Sequence, residues 1–315
     1  MENEKEAIQS EAERIIRARE EALKNDEVKG LGKVSSYGQG EQGTIMEEIG
    51  WIRIKPEELP SKGEFYPRGT EILIRAASAS EIRQWSTIDD DDFMSLNDGL
   101  NHIVDKCCRV MYPKTVGNYK DLKEIDRFYI VFAIREYTFK KGENQLQITF
   151  SCNCGQNDTS PITKDMLSYY TASTDLEKRF DEEERCFYLK MKTGEELKLY
   201  LPSLGIVSFI TNYIREKSQS RVTYDKAFVK WAPFLFPDWR FLNEATYSQA
   251  LQDSYTWSIS QISILNWFTD EMQKTVKAEI VHNCTACGTE VTAPLSFRGG
   301  FKSLFLVSNP TADLL

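Results

Sequence analysis

The chain has 315 residues, which is long enough for two ordinary domains with a hydrophobic core each. Apolar residues make up 41% of it and charged residues 28%, as in a globular protein, and no apolar run approaches the roughly 18 residues of a membrane span. A formal net charge of -9, without a basic stripe, argues against a nucleic-acid-binding surface. Seven cysteines and a charged N-terminus without a signal-peptide core indicate a reducing compartment with free or metal-bound thiols.

Residues 1–29 are predicted to form an N-terminal helical arm. Glu, Lys, Arg and Ala dominate it, and a thin apolar stripe that includes Ile8, Ile15 and Leu23 recurs at helical spacing. A stripe this narrow cannot form a domain, so the arm either docks on a partner or is a solvated, frayed segment. Residues 30–44, which contain five glycines, are predicted to be a flexible linker.

From residue 45 onward the sequence is consistent with two copies of one plan, residues 45–175 and residues 176–315. Each copy starts with a Phe-Tyr pair and a strand, predicted at Glu71–Arg75 in the first copy and at Glu195–Leu201 in the second. Helical patterns follow, and an alternating strand then leads into a cysteine pair. Because the features match in order, we predict an α+β protein of two tandem pseudo-repeated lobes, made of helices and short antiparallel strands.

Apolar spacing places the helices within each copy. Ser78 and Glu81 have the spacing of a capping box and predict a helix start. The first copy has two apolar helical stripes, from Leu100 to Met111 and from Leu122 to Phe132, and the second copy has one from Ile259 to Phe268. The apolar tail Phe297–Val307 is expected to pack on the second copy.

Four cysteines form two pairs that end predicted strands, Cys152 with Cys154 and Cys284 with Cys287, and each pair is followed at once by glycine. We call these two turns the cysteine knuckles. A C-x-x-C turn supplies two thiolates, and four thiolates close one tetrahedral zinc site. Because tandem copies often pack about a pseudo-twofold axis, the pairs are predicted to meet and bind one structural zinc per chain. The alternative is two unrelated cysteine pairs in core or turn positions.

Other residues with chemical potential are better explained as structural. His282 could replace a missing zinc ligand but is more typical of a half-buried strand residue, and His102 lies in a helix without a nearby acid or nucleophile. Asp89–Asp92 could hold a hard cation but lacks calcium-loop spacing, which favours a solvated helix start. The aromatic stretch Trp231–Trp267 is expected to be largely core. Its part Trp231–Trp239 is punctuated by two prolines and is predicted to be more loop than helix, and an exposed part of the stretch is a candidate interface anchor. The sequence has no P-loop, nucleophile elbow or dinucleotide fingerprint, so no enzyme activity is predicted.

The segment from Leu59 to Tyr170 contains a recognisable pattern. It opens with Leu59-Pro60-Ser61-Lys62-Gly63 and Phe65-Tyr66-Pro67 and leads through a helix to Ile134-Arg135-Glu136 and the first cysteine knuckle. This pattern resembles the baseplate protein family of T-even-type contractile-tail bacteriophages, whose members are baseplate hub subunits or hub assembly factors. The resemblance implies no catalytic residues.

The resemblance implies a structural or assembly component of a phage baseplate, in the hub region, that acts through protein–protein contacts. Its expected partners are other phage tail or baseplate proteins, with self-association left open, and its expected locations are the virion tail baseplate and the host cytoplasm during assembly. Three alternatives stay open. One is an assembly chaperone absent from the mature virion, and another is a zinc-ribbon adaptor that binds nucleic acid or transcription machinery. The third is a metal-dependent hydrolase, which would lose activity but not its fold when a metal ligand is substituted.

Overall fold

A computed structural model describes residues 50–88, 92–113, 115–139, 146–167, 170–190, 196–275, 279–294 and 304–305. The predicted arm at residues 1–29 and the linker at residues 30–44 lie outside these ranges, as do Asp89, Asp90 and Asp91. Within the described ranges the fold is α+β, as predicted, with helices and small antiparallel sheets.

Helices and short strands follow one another along the chain. The helices are α1 (Ala79–Trp85), α2 (Phe93–Cys107), α3 (Arg127–Thr138), α4 (Thr174–Glu177), α5 (Leu204–Gln219), α6 (Lys226–Trp231), α7 (Glu244–Ser254) and α8 (Ile259–Thr275). The strands are β1 (Trp51–Ile54), β2 (Glu71–Arg75), β3 (Cys108–Met111), β4 (Gln147–Ser151), β5 (Asn157–Pro161), β6 (Phe180–Asp181), β7 (Cys186–Lys190), β8 (Glu196–Tyr200), β9 (Glu279–Asn283) and β10 (Glu290–Pro294).

The strands pair into small antiparallel sheets. Two are three-stranded, in the orders β1-β2-β3 and β6-β7-β8, and two are hairpins, β4–β5 and β9–β10. In the hairpins Phe150 is paired with Asp158, and His282 with Val291. Strand β4 contacts β10, so the two hairpins pack side by side.

Polar side chains fix the starts of α1 and α2. The capping box predicted from Ser78 and Glu81 is confirmed, because Ser78 Oγ accepts from the Glu81 N–H and Glu81 Oε2 accepts from the Ser78 N–H (2.8 Å). Asp92 accepts from the N–H groups of Met94 and Ser95 and caps α2, in agreement with its interpretation as a helix start.

Two predicted helical stripes extend beyond the helices that form. Helix α2 ends at Cys107, and Met111 lies in β3, which pairs with β2. Helix α3 begins only at Arg127. Leu122 lies in an extended segment before it, and the Leu122 carbonyl accepts from the Leu204 N–H (2.8 Å). Pairing with a distant part of the chain therefore overrides the local helical pattern.

The first hydrophobic core lies among the β1–β3 sheet, α2 and α3, and includes residues of both hairpins. The tail Phe297–Val307 was expected to pack on the second copy, and the structure describes its residues 304 and 305. Both lie in this first core. Phe305 packs on Trp85 of the first copy (ring centroids 4.8 Å apart), and the Leu304 carbonyl accepts from Arg135 Nε (2.8 Å). A second core joins the β6–β8 sheet to α8, and a third lies among α5, α6 and α7. The first core thus takes in residues from both sides of the predicted boundary at residues 175 and 176, and the division into two lobes stays a prediction.

Candidate metal centre

The first cysteine pair lies in the turn between β4 and β5. The N–H of Cys152 donates to the carbonyl of Gln156 (2.9 Å), and the N–H of Gly155 donates to the carbonyl of Cys152 (2.9 Å). Gly155 has a φ of 91°, in the left-handed region that favours glycine, which allows the chain to reverse within a few residues. The turn therefore presents Cys152 and Cys154 at the tip of the hairpin.

The second pair lies in a similar turn between β9 and β10. The N–H of Cys284 donates to the carbonyl of Thr289 (2.9 Å), and the N–H of Gly288 donates to the carbonyl of Cys284 (2.8 Å). Gly288 is also left-handed, with a φ of 71°. The two turns thus use similar backbone hydrogen bonds and a left-handed glycine, and the second turn is one residue longer than the first.

The four thiols meet in space. All four sulfur atoms lie within 4.8 Å of one another, and the two cross-hairpin pairs are close, with 3.6 Å between Cys152 Sγ and Cys287 Sγ and 3.7 Å between Cys154 Sγ and Cys284 Sγ. These distances exceed the roughly 2.05 Å of a disulfide, and the cysteines are free. The alternative of two unrelated pairs is wrong, and the cluster can bind a metal ion.

The surroundings of the cluster favour the thiolate form of Cys287. Cys284 is buried at 3% exposure, Cys152 is half-buried, and Cys154 and Cys287 are exposed. Hydrogen bonding with Thr289 lowers the pKa of Cys287 to about 6. The Cys154 N–H lowers the pKa of Cys152, but the Cys154 side chain and burial outweigh it and raise this pKa to about 12. A bound cation would favour the deprotonated form of all four sulfurs.

His282 is a half-buried residue of β9, as the structural interpretation predicted. Its ring stacks on Phe150 with centroids 4.7 Å apart, and its Nε2 lies 3.3 Å from Asp158 Oδ2. Since four cysteines already complete the group, no ligand is missing for His282 to replace. His102 also has a packing role, because its Nδ1 accepts from Trp85 Nε1 (3.3 Å).

The aromatic stretch is mostly internal. Trp231 is buried and donates to Asn266 Oδ1 (3.0 Å), and Trp239 donates to Asp121 Oδ1 (2.9 Å). Phe241 and Tyr255 in the same stretch are 71% and 63% exposed. The predicted interface anchor therefore has two strongly exposed aromatic residues, and its partner role stays a prediction.

The sequence-based predictions did not include two buried carboxylates. Asp126 is fully buried and accepts from the Ser61 N–H (2.8 Å) and the Tyr66 hydroxyl (2.7 Å). Asp158 accepts from Thr285 in the second knuckle. The only sequence signal for Asp126 is an acidic residue within an apolar helical pattern, and for Asp158 it is proximity to Cys154.

In the part of the chain that the structure describes, no helix has the length and apolar character needed to cross a membrane. No protein-family model, curated protein or solved structure matches the chain.

Proposed function

We propose that the cysteine cluster binds one structural zinc ion and that the protein is a structural or assembly component of a phage contractile-tail baseplate. The observation that carries the metal proposal is the meeting of two thiol pairs 130 or more residues apart in sequence. Four thiolates complete a tetrahedral shell and leave no coordination position for a substrate, so a structural role of the metal is favoured over a catalytic one.

The donor set and its spacing favour zinc. Soft thiolates select zinc or iron and disfavour calcium and magnesium. Four sulfurs at 2.3 Å from one zinc ion in a tetrahedron lie about 3.8 Å apart, close to the 3.6 Å and 3.7 Å of the cross-hairpin pairs. Cys152, Cys154, Cys284 and Cys287 would hold the ion, which would join the two hairpins.

The baseplate proposal is supported by the residues that carry the family resemblance. The segment Leu59–Pro67 is tied to the body of the protein, because Asp126 accepts from both Ser61 and Tyr66 and the Pro60 carbonyl accepts from Tyr170 N–H (2.7 Å). These residues therefore have a defined structural role, as expected for a pattern that specifies a fold. An acidic protein with this fold suits a hub-region scaffold that acts through contacts with other tail or baseplate proteins.

Elemental analysis of the full chain tests the metal. We expect about one zinc per chain in protein purified under reducing, chelator-free conditions, and loss of the zinc in Cys284→Ser. Cys186→Ala is the matched control, since Cys186 is buried in β7 outside the cluster. Protein without metal under these conditions, or with iron in place of zinc, would contradict the zinc assignment.

Mass spectrometry of purified virions and of baseplate assembly intermediates tests the location. Presence in both supports a structural subunit, and presence in intermediates alone supports an assembly chaperone made in the host cytoplasm. Absence from both overturns the baseplate proposal. Co-purifying tail proteins would identify the partners and show whether the chain self-associates.

A zinc-ribbon adaptor for nucleic acid or transcription machinery is the second candidate, because it too presents four cysteines on two hairpins. The charges near the site weigh against it, since neither residues 152–158 nor residues 283–291 contain a lysine or arginine. Salt-sensitive binding of nucleic acid to the folded protein would favour the adaptor, and no binding at low salt would eliminate its nucleic-acid form.

A further inference from the structure

Asp158 is a nearly buried carboxylate, 9% exposed, at the second position of β5. It belongs to the first hairpin, yet its oxygens face the second hairpin. Oδ2 accepts from Thr285 N–H (2.8 Å), and Oδ1 accepts from the Thr285 hydroxyl (2.6 Å) and from Gln156 Nε2 (3.0 Å). Oδ2 also lies 3.3 Å from His282 Nε2. One carboxylate thus contacts both hairpins.

Thr285 is the residue whose position matters for the metal ligands. It directly follows Cys284 and precedes Cys287 by two positions, so it lies inside the turn that presents both thiols. Because the bond from its N–H is a backbone bond, Asp158 fixes the path of the turn itself. Stacking of His282 on Phe150 aligns the preceding strand against the same hairpin.

We infer that Asp158 is a positioning residue of the metal centre, which docks the second cysteine turn on the first hairpin and so holds the two thiol pairs together for a thiophilic divalent cation. The inference rests on the proposed metal binding. If so, Asp158 holds the four cysteines close together before the metal binds. Part of the metal affinity then comes from this docking.

The contact uses both oxygens of the carboxylate. Both oxygens of Asp158 accept, and a backbone N–H and a hydroxyl of Thr285 bind one oxygen each. Asp158→Ala removes both acceptors, so neither donor of Thr285 keeps its partner on the first hairpin. Asp158→Asn is a weaker test, because its amide oxygen can still accept from the Thr285 N–H while its N–H₂ group donates to the Thr285 hydroxyl, which can also accept.

The experiment compares zinc affinity in the full-length reduced protein by competition with a chromophoric chelator. We expect Asp158→Ala to bind one zinc per chain roughly 10- to 100-fold more weakly than the unsubstituted protein, and to release it faster. Co²⁺ absorption, which reports tetrahedral thiolate coordination, should retain its form and require more metal for saturation. Thr159→Ala is the matched control on the same strand, because its exposed hydroxyl is hydrogen-bonded to Thr149 of the first hairpin (3.4 Å) and not to Thr285.

A second variant keeps the inference testable if the first variant does not fold. Thr285→Val removes the hydroxyl donor and keeps the backbone donor, so we expect a smaller loss of affinity in a folded protein. Unchanged zinc affinity in folded Asp158→Ala, or in Thr285→Val if Asp158→Ala does not fold, overturns the inference and leaves the proposed metal site standing. Failure of the unsubstituted protein to bind zinc or Co²⁺ overturns the proposed site, and the inference with it.

Discussion

Asp126 is a fully buried carboxylate beneath the loop that contains Ser61 and Tyr66. Burial raises the pKa of its carboxyl from 3.8 to about 6, although hydrogen bonds from both residues lower it. The folded protein therefore binds this proton more tightly than the unfolded chain does. The stabilisation is fully present below about pH 4 and is lost as the pH rises through about 6.

We therefore expect Asp126→Asn to flatten the pH dependence of stability. In the unsubstituted protein this group lowers the free energy of unfolding by up to about 3 kcal/mol between about pH 4 and pH 6, because each pKa unit corresponds to about 1.4 kcal/mol. Urea denaturation across this range, followed by tryptophan fluorescence, measures the difference between the two proteins. Parallel curves for both would show that Asp126 does not titrate in this window.

The cysteine cluster could be predicted at the residue scale and the role of Asp126 could not. Closely spaced cysteines next to glycine have few common uses, so Cys284 and Cys287 indicate a metal site by themselves. The role of Asp126 depends on Ser61 and Tyr66, which lie 65 and 60 residues away. No local pattern encodes a contact of that kind.

Helix α5 depends on a close approach between Gly205 and the indole of Trp239. A Cβ at Gly205 would lie 2.4 Å from Trp239 Cγ, and the indole is also held by its bond to Asp121. In α2, a Cβ at Gly99 would lie 2.3 Å from Cδ1 of Ile88, which is the end of a flexible side chain. An added Cβ would thus be about equally close to a neighbouring side chain at both glycines, but the neighbour of Gly205 is held in place and the neighbour of Gly99 can move.

We expect Gly205→Ala to lower the free energy of unfolding by about 1–3 kcal/mol, because the rigid indole must shift. Gly99→Ala should cost clearly less, since Ile88 can change rotamer and alanine favours the helix by about 1 kcal/mol. Chemical denaturation of both variants measures the two costs. Equal costs would mean that the indole can move as freely as the isoleucine methyl group.

Among the helices and strands, those whose position depends on neighbouring residues in the sequence were predicted correctly. Strand β2 and the start of α1 match their predictions, because alternation and a capping box act within a few residues. The start of α3 was misplaced because Leu122 and Glu124 pair with residues 202–204. Those bonds form only when α5 is in place, so the sequence around Leu122 contains no sign of them.

The first core sets the behaviour of the whole molecule, because Ile280, Ala293, Leu304 and Phe305 complete it from the far end of the sequence. We expect a fragment of residues 45–175 not to fold independently, since it would expose the side of the core that these residues cover. Amide hydrogen exchange of the fragment, with the full chain as the control, tests this. Protection of α3 equal to that in the full chain would support an independent first lobe.

The large-scale plan was predictable only in part. The duplicated knuckle indicated that two hairpins meet, and their sulfur atoms do. The sequence did not indicate that Phe305 packs on Trp85, because both are aromatic residues with many equally suitable apolar neighbours. Apolar packing is non-directional, so burial can be predicted more easily than the partner.

The separation of Cys154 and Cys284 by 130 residues also affects the order of events during synthesis. At ordinary elongation rates of about 5–20 residues per second, the first thiol pair leaves the ribosome roughly 6–26 seconds before the second. During this interval a metal ion on the nascent chain can have only two cysteine ligands from the cluster, and the remaining coordination positions are open to exchange. Closed coordination therefore begins only after Cys287 has emerged, so a chain that stalls earlier would be marked by loosely held metal and reactive thiols.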